Sequence, residues 1–290
     1  MVQKVFREGP DHLRAPSFVG QDLALMIRYA MSAYKLLFYL NADERRKNDS
    51  YWQVTYGVTA MPLVRSLIDC LYNVIAILQD PAEQGAAYRR SGIKKTLIDL
   101  DEDYERYRGQ PRWEAYVSER RRAVDLLTRM SGFTRGEVMN QPIWPTLGRY
   151  ISTMGPGGIL TEHQEFLKTF THMEWRQYSA LSHGAYEGFI GFVGPLPVGT
   201  YYSSDFLPHA DRPKVDSSYD MYLSKHLGRA ATVLLCIITE LQAYCRFEGA
   251  NINERIRKLW EILIPLFEAN ELYEGRYSRL MKLRGIVPRE

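Results

Sequence analysis

The chain has 290 residues, 46% hydrophobic and 24% charged, a balance that supports a sizeable buried core. Thirty-seven Lys and Arg against 34 Asp and Glu leave a formal net charge of +3, which excludes a strongly basic nucleic-acid coat and an acidic disordered tail. Glycine (21) and proline (14) are used at ordinary levels, which excludes collagen-like and low-complexity chains.

Residues 1–20 mix charges with prolines and hold no apolar stretch of signal-peptide length. The longest apolar run, Ala230–Thr239, is too short to span a bilayer and stops at Glu240. Together these features predict a cytoplasmic protein with no membrane partner. Cys70, Cys236 and Cys245 form an odd set without a C-x-x-C pair, as expected of reduced thiols. No His or Cys stands at metal-ligand spacing, so neither a metal nor a cofactor is expected.

Helical periodicity runs through most of the chain. Residues 21–40 place Leu23, Met26, Ile27, Ala30, Tyr34 and Leu37 on one side, which predicts an amphipathic helix. Residues 51–79 predict a second long helix, bent at Pro62 because proline lacks the amide donor. Asp80 as N-cap and Pro81 at the first position start a third helix, through about Arg108, which Gly109 closes. Residues 111–130 predict an Arg-rich amphipathic helix. Residues 131–159 are broken by Gly and Pro, with one short helix at 145–153. Thr161 caps a helix over 162–183, which Gly184 ends. Residues 194–218, with four prolines, predict a long loop. Further helices are predicted at 218–248, 252–269 and 271–283. The expected fold is all-α, a multi-helix bundle without significant β-sheet. It reads as one domain, 1–290, with an N-terminal half to about 130 and a C-terminal half from about 160.

Positions seven apart return to the same helix face, which lines up Glu165, His172, Arg176, Ser179 and His183. The apolar face of the same helix is Phe166, Leu167, Phe170, Met173 and Leu181. Arg176 and His183 enclose six residues, beginning with Gln177. This Arg-x6-His spacing resembles the motif of HEPN domains, although Asn, Asp or His is commoner where Gln177 stands. The resemblance implies an HEPN-like all-α fold and a metal-independent endoribonuclease that works as a homodimer on RNA. In such chemistry His183 takes the 2′-hydroxyl proton as base, and Arg176 holds the phosphate charge that develops in the transition state. Ser179, one turn before His183, orients the imidazole or bonds substrate.

A second polar line crosses the helix at 63–78, which is apolar almost all round. Arg65, Asp69 and Asn73 stand at i, i+4 and i+8. Buried charges need partners. Arg65 and Asp69 can pair with each other, or join Tyr178, Ser182 and His183 in a supporting polar cluster. The segments Arg65-Ser66-Leu67-Ile68-Asp69 and Tyr178-x-x-x-Ser182-His183-Gly184 resemble a group of bacterial all-α proteins, some encoded in defence or toxin–antitoxin settings. The match covers about residues 50–80 and 160–190, and Ser182 and His183 are adjacent here rather than spaced. It implies a cognate antitoxin or defence partner.

Arg120-Arg121-Arg122 are interleaved with Glu119 and Asp125 and read as a solvated face. Tyr201-Tyr202 read as loop packing. His12, His163, His209 and His226 have no spaced partners and are expected at the surface or at caps. The functional expectation is a metal-independent ribonuclease or nucleic-acid-binding effector. Its alternative is a non-catalytic interaction or dimerisation protein in which the same polar residues are structural.

Overall fold

The computed structural model describes residues 15–45, 50–152, 161–170, 178–179, 212–248 and 251–286. The chain is all-α, and there is no strand among the described residues. Helices α1 (Ser17–Ala42), α2 (Ser50–Gln79), α3 (Pro81–Arg106) and α4 (Pro111–Met130) follow in order. Three short helices come next, α5 (Arg135–Asn140), α6 (Leu147–Ser152) and α7 (Glu162–Phe170). The long α8 (Arg212–Cys245) leads to α9 (Ile252–Leu263), α10 (Phe267–Leu272), a π-helical turn (Tyr273–Tyr277) and α11 (Ser278–Leu283).

Local chemistry sets many of these ends. Asp80 caps α3 by accepting from the Glu83 amide, with Pro81 in the first turn where no amide donor is needed. Gly109 follows the helix at a φ of +81°, a left-handed conformation suited to glycine. Thr134 and Glu137 form a reciprocal capping box that nucleates α5, a helix the sequence reading left inside a broken stretch. The Thr161 amide donates to the Gln164 side chain as α7 begins. Three other boundaries differ from expectation. Helix α2 runs unbroken through Pro62. Helix α8 starts at Arg212, inside the expected loop, with Pro213 in its first turn. The expected helix at 252–269 stops at Leu263 because Pro265 has no N–H to continue it.

The chain divides into two compact units, residues 1–25 with 76–150 and residues 26–75 with 151–290. In the first, α3 packs on α4 and α5 around Ile93, Leu97 and Val138, with Val124 and Phe133 against them. Arg89 grips Asp22 with two hydrogen bonds, of 2.9 and 2.6 Å, and also reaches Ser131 at 3.1 Å. Its guanidinium lies 4.8 Å from the centre of the Phe18 ring. At Gly85 a Cβ would stand 2.6 Å from a Val19 methyl, so that helix contact requires glycine. In the second unit α8 packs on α9, α10 and α11. Trp260 of α9 stacks on Tyr277 at 5.1 Å and donates to the Thr239 hydroxyl of α8 at 3.0 Å.

The expectation of a cytoplasmic chain is corrected here. Three helices, Ser17–Ala42, Thr59–Gln79 and Leu223–Cys245, are long and apolar enough by composition to cross a membrane. A search for uninterrupted apolar runs misses them because it stops at the first charge. Their mean hydropathies of 1.2, 1.6 and 1.2 over 18 residues tolerate up to two charged side chains. They differ in packing. The second and third bury 67% and 61% of that stretch inside the protein, whereas the first buries 28%. On α1 the side chains of Tyr29, Leu36, Phe38 and Tyr39 are exposed.

Candidate functional site

The first half of α8 carries Lys225, His226 and Arg229 within one turn, just before its apolar stretch. His226 and Arg229 stand at i and i+3, so they share a face. His226 is fully buried and Arg229 nearly so. Both meet the hydroxyl of Tyr178, itself fully buried. Arg229 Nη1 donates to the Tyr178 oxygen at 3.0 Å, and His226 Nδ1 lies 2.8 Å from it. Burial, with the nearby Arg229 and Lys225 charges, lowers the His226 pKa to about 3. The imidazole is therefore neutral at pH 7. With Arg229 donating to one lone pair, the Tyr178 hydroxyl can donate to Nδ1 of the neutral imidazole, which accepts.

Arg229 continues the chain of contacts outward. Its Nη2 donates to Glu268 Oε1 of α10 at 3.1 Å, and Lys225 Nζ reaches the same oxygen at 3.2 Å. Desolvation pushes the Glu268 carboxyl upward, but a backbone hydrogen bond and the two cations outweigh it, and the net shift is downward. Side-chain exposure rises along the series from Arg229 at 10% through Glu268 at 26% to Lys225 at 50%. A cavity of about 370 Å³ opens beside these groups. Phe170, Val233, Leu266 and Leu272 give it apolar walls, and Lys225, Arg229 and Glu268 line it as well.

Further along α8 the polar residues are sealed. Glu240 is fully buried and takes two hydrogen bonds from Arg276, at 2.6 and 3.1 Å. Burial would lower the Arg276 pKa, but the Glu240 charge overcomes it and raises the guanidinium further. Phe166, Tyr277 and Trp260 pack around this pair, with Arg276 also over the Phe166 ring at 5.3 Å. Arg279 pairs with Glu162 outside it. From sequence alone Glu240 marks only the end of an apolar run.

Of the residues singled out from sequence, Arg176, Ser182 and His183 lie outside the described residues, as do His172, Tyr201 and Tyr202. Ser179 is described and is buried, next to Tyr178. On α2, Arg65 and Asp69 form an ion pair with each other, and Asn73 one turn on is half-buried and engaged. Burial lowers the Arg65 pKa against the pull of Asp69. Arg121 pairs with Asp101, and Arg120 lies over the Tyr116 ring. The expectation that His226 sits at the surface or a cap is corrected by its full burial. The signal was present. A His and an Arg three apart, adjoining an apolar helical run, form the same kind of polar line as Arg65 and Asp69.

All three cysteines are free and buried, and burial pushes Cys70 and Cys245 up to about 12, which keeps them protonated. Among the described residues no group of three His, Cys, Asp or Glu gathers as a metal site. Comparison with known proteins finds no matching family model, no matching curated protein and no matching solved structure.

Proposed function

We propose that the chain is an HEPN-like, metal-independent endoribonuclease, an effector of a defence or toxin setting that acts on RNA. His183 removes the 2′-hydroxyl proton, the 2′-oxygen attacks phosphorus, and Arg176 holds the charge on the non-bridging oxygens. The 5′-oxygen leaves and takes a proton back from the imidazolium. The products are a 2′,3′-cyclic phosphate and a 5′-hydroxyl.

The observation that carries this reading is the burial of Tyr178 against His226 and Arg229. A buried tyrosine sets the rotational phase of the helix that the sequence predicts around it. In that periodicity positions 176 and 183 fall about 20° apart and roughly 150° from position 178. That periodicity, read from the sequence, predicts Arg176 and His183 on the face opposite position 178, where a polymer substrate could reach them.

The test is RNA incubation in EDTA with the wild type, His183→Ala and Arg176→Ala. Each variant is expected to lose cleavage by about a hundredfold or more. Unfolding transitions should stay within about 0.5 kcal/mol of wild type, because an outward stripe carries little packing energy. A wild type without nuclease activity, combined with a clear loss of stability in His183→Ala, overturns the proposal.

A second reading, a non-catalytic interaction or dimerisation protein, draws on the exposed Tyr29, Leu36, Phe38 and Tyr39 of α1. Sedimentation of wild type and of a Leu36→Glu, Tyr39→Glu variant tests it. Loss of self-association in the variant supports that reading, and an unchanged monomer dismisses it.

A further inference from the structure

We propose that α1 seats the chain on an anionic lipid bilayer, lying flat in the headgroup layer with the face around Arg28, Lys35, Leu36 and Phe38 toward the lipid. This goes beyond the ribonuclease reading and holds whether or not the chain cleaves RNA.

The helix has two apolar faces. Met26, Ala30, Ala33 and Leu37 recur at helical spacing, and all four are buried. The opposite side faces solvent and is still largely apolar. Tyr29, Met31, Leu36, Phe38 and Tyr39 are each at least 45% exposed. At 100° per residue, the exposed Arg28 and Lys35 run down the middle of that side. Met31 and Phe38 lie on one flank of the cations, and Tyr29, Leu36 and Tyr39 on the other. Five large apolar or aromatic side chains on about 15 Å of helix form a contact surface rather than scattered exposure.

Charge and side-chain type identify what covers it. No acidic residue stands between positions 23 and 42, and Asp22 just before them is held by Arg89. The exposed charges of this face are therefore both positive. A second copy docked through it would bring four cations together with no acid among them, which opposes a self-complementary pair. Lipid phosphates supply the missing negative charge. Tyrosine, arginine and lysine each join an apolar body to a polar end, which suits the boundary between headgroups and acyl chains. The same features oppose a spanning orientation, although α1 is long and apolar enough for one by composition. Spanning would place Arg28 and Lys35 in hydrocarbon and would strip Met26, Ala30, Ala33 and Leu37 from their packing in the protein.

The experiment is sedimentation of the full chain with vesicles of phosphatidylcholine, alone or with about 30% phosphatidylglycerol. The chain is expected to bind the anionic vesicles, to bind the neutral ones about tenfold more weakly or less, and to be released by about 1 M NaCl. Arg28→Gln with Lys35→Gln should weaken binding to the anionic vesicles by about fivefold for each cation removed. Leu36→Ser with Phe38→Ser should weaken it by about tenfold or more, through lost apolar contact. A fluorophore sensitive to its surroundings, placed on Ser32→Cys while the three native cysteines stay buried, should shift to the blue on anionic vesicles. If the serine variant fails to fold, the glutamine variant and the fluorophore decide. Absence of vesicle binding, binding that ignores the glutamine variant, or a fluorophore that does not shift overturns the proposal. Self-association through Leu36 and Phe38 without vesicle binding gives the face to a second copy, and binding that survives both salt and alkaline carbonate marks a spanning helix. Either result overturns it too.

Discussion

Helix α8 holds two stretches that look alike in sequence and behave differently in the fold. Around Glu240 the polar groups are buried and paired beside an aromatic wall: the carboxylate takes two hydrogen bonds from Arg276, whose guanidinium also lies 4.0 Å from the exposed Glu162. Around Arg229 they form a gradient, from buried His226 and Tyr178 through Glu268 to the half-exposed Lys225, beside a cavity. A buried pair repays its desolvation chiefly through its own geometry. A graded network keeps one end in solvent.

The sharpest way to break this contrast is Glu240→Ala. It leaves the Arg276 charge in the core with only the distant Glu162 as counter-ion, at 4.0 Å, and should cost about 3–5 kcal/mol in urea unfolding. Glu240→Leu combined with Arg276→Met should recover most of that loss, because two apolar side chains of similar volume need no pairing. A loss below 1 kcal/mol for Glu240→Ala would mean that the pair is not sealed.

Tyr178→Phe probes the graded network at its buried end. It removes the hydroxyl shared by Arg229 and His226 and should cost about 1–3 kcal/mol by thermal unfolding. A neutral result would show that the hydroxyl does not hold the segment inward, which would also undercut the orientation invoked for Arg176 and His183.

The same network predicts a dependence on pH. The folded His226 pKa, about 3, lies below its ordinary 6.5. Between those values the unfolded chain binds a proton that the folded chain refuses, so stability falls as pH falls through 6.5 toward 3. From pH 7 to 5.5 the loss should be about 1 kcal/mol, and a His226→Phe variant should flatten that slope even if it is less stable throughout. Urea midpoints at the two pH values measure it, and an unchanged slope in the variant would remove His226 from the account.

The smallest expected effect belongs to Lys225→Met. Its head is half in solvent and shares Glu268 with Arg229, so stability should change by no more than about 0.5 kcal/mol. A larger change would mean that the outer end of the gradient is structural after all.

Much of this architecture was readable from short stretches of sequence. The Asp80–Pro81 start of α3 and the Arg65–Asp69 pair depend on residues within four positions of each other, and both are found. The all-α class follows from periodicity, which is also local. Pro265 was an equally local signal for the break after α9. The rest depends on which helix faces meet. Glu240 and Arg276 are 36 residues apart, and Tyr178 and His226 are 48 apart, so no spacing rule connects them. Composition also could not separate three apolar helices whose mean hydropathies are nearly the same. A helix is apolar all round when it is surrounded by protein and equally when it is surrounded by lipid, because both media lack water. Only packing distinguished α2 and α8, largely buried by their own protein, from α1, which leaves Leu25, Tyr29, Met31, Leu36, Phe38 and Tyr39 exposed.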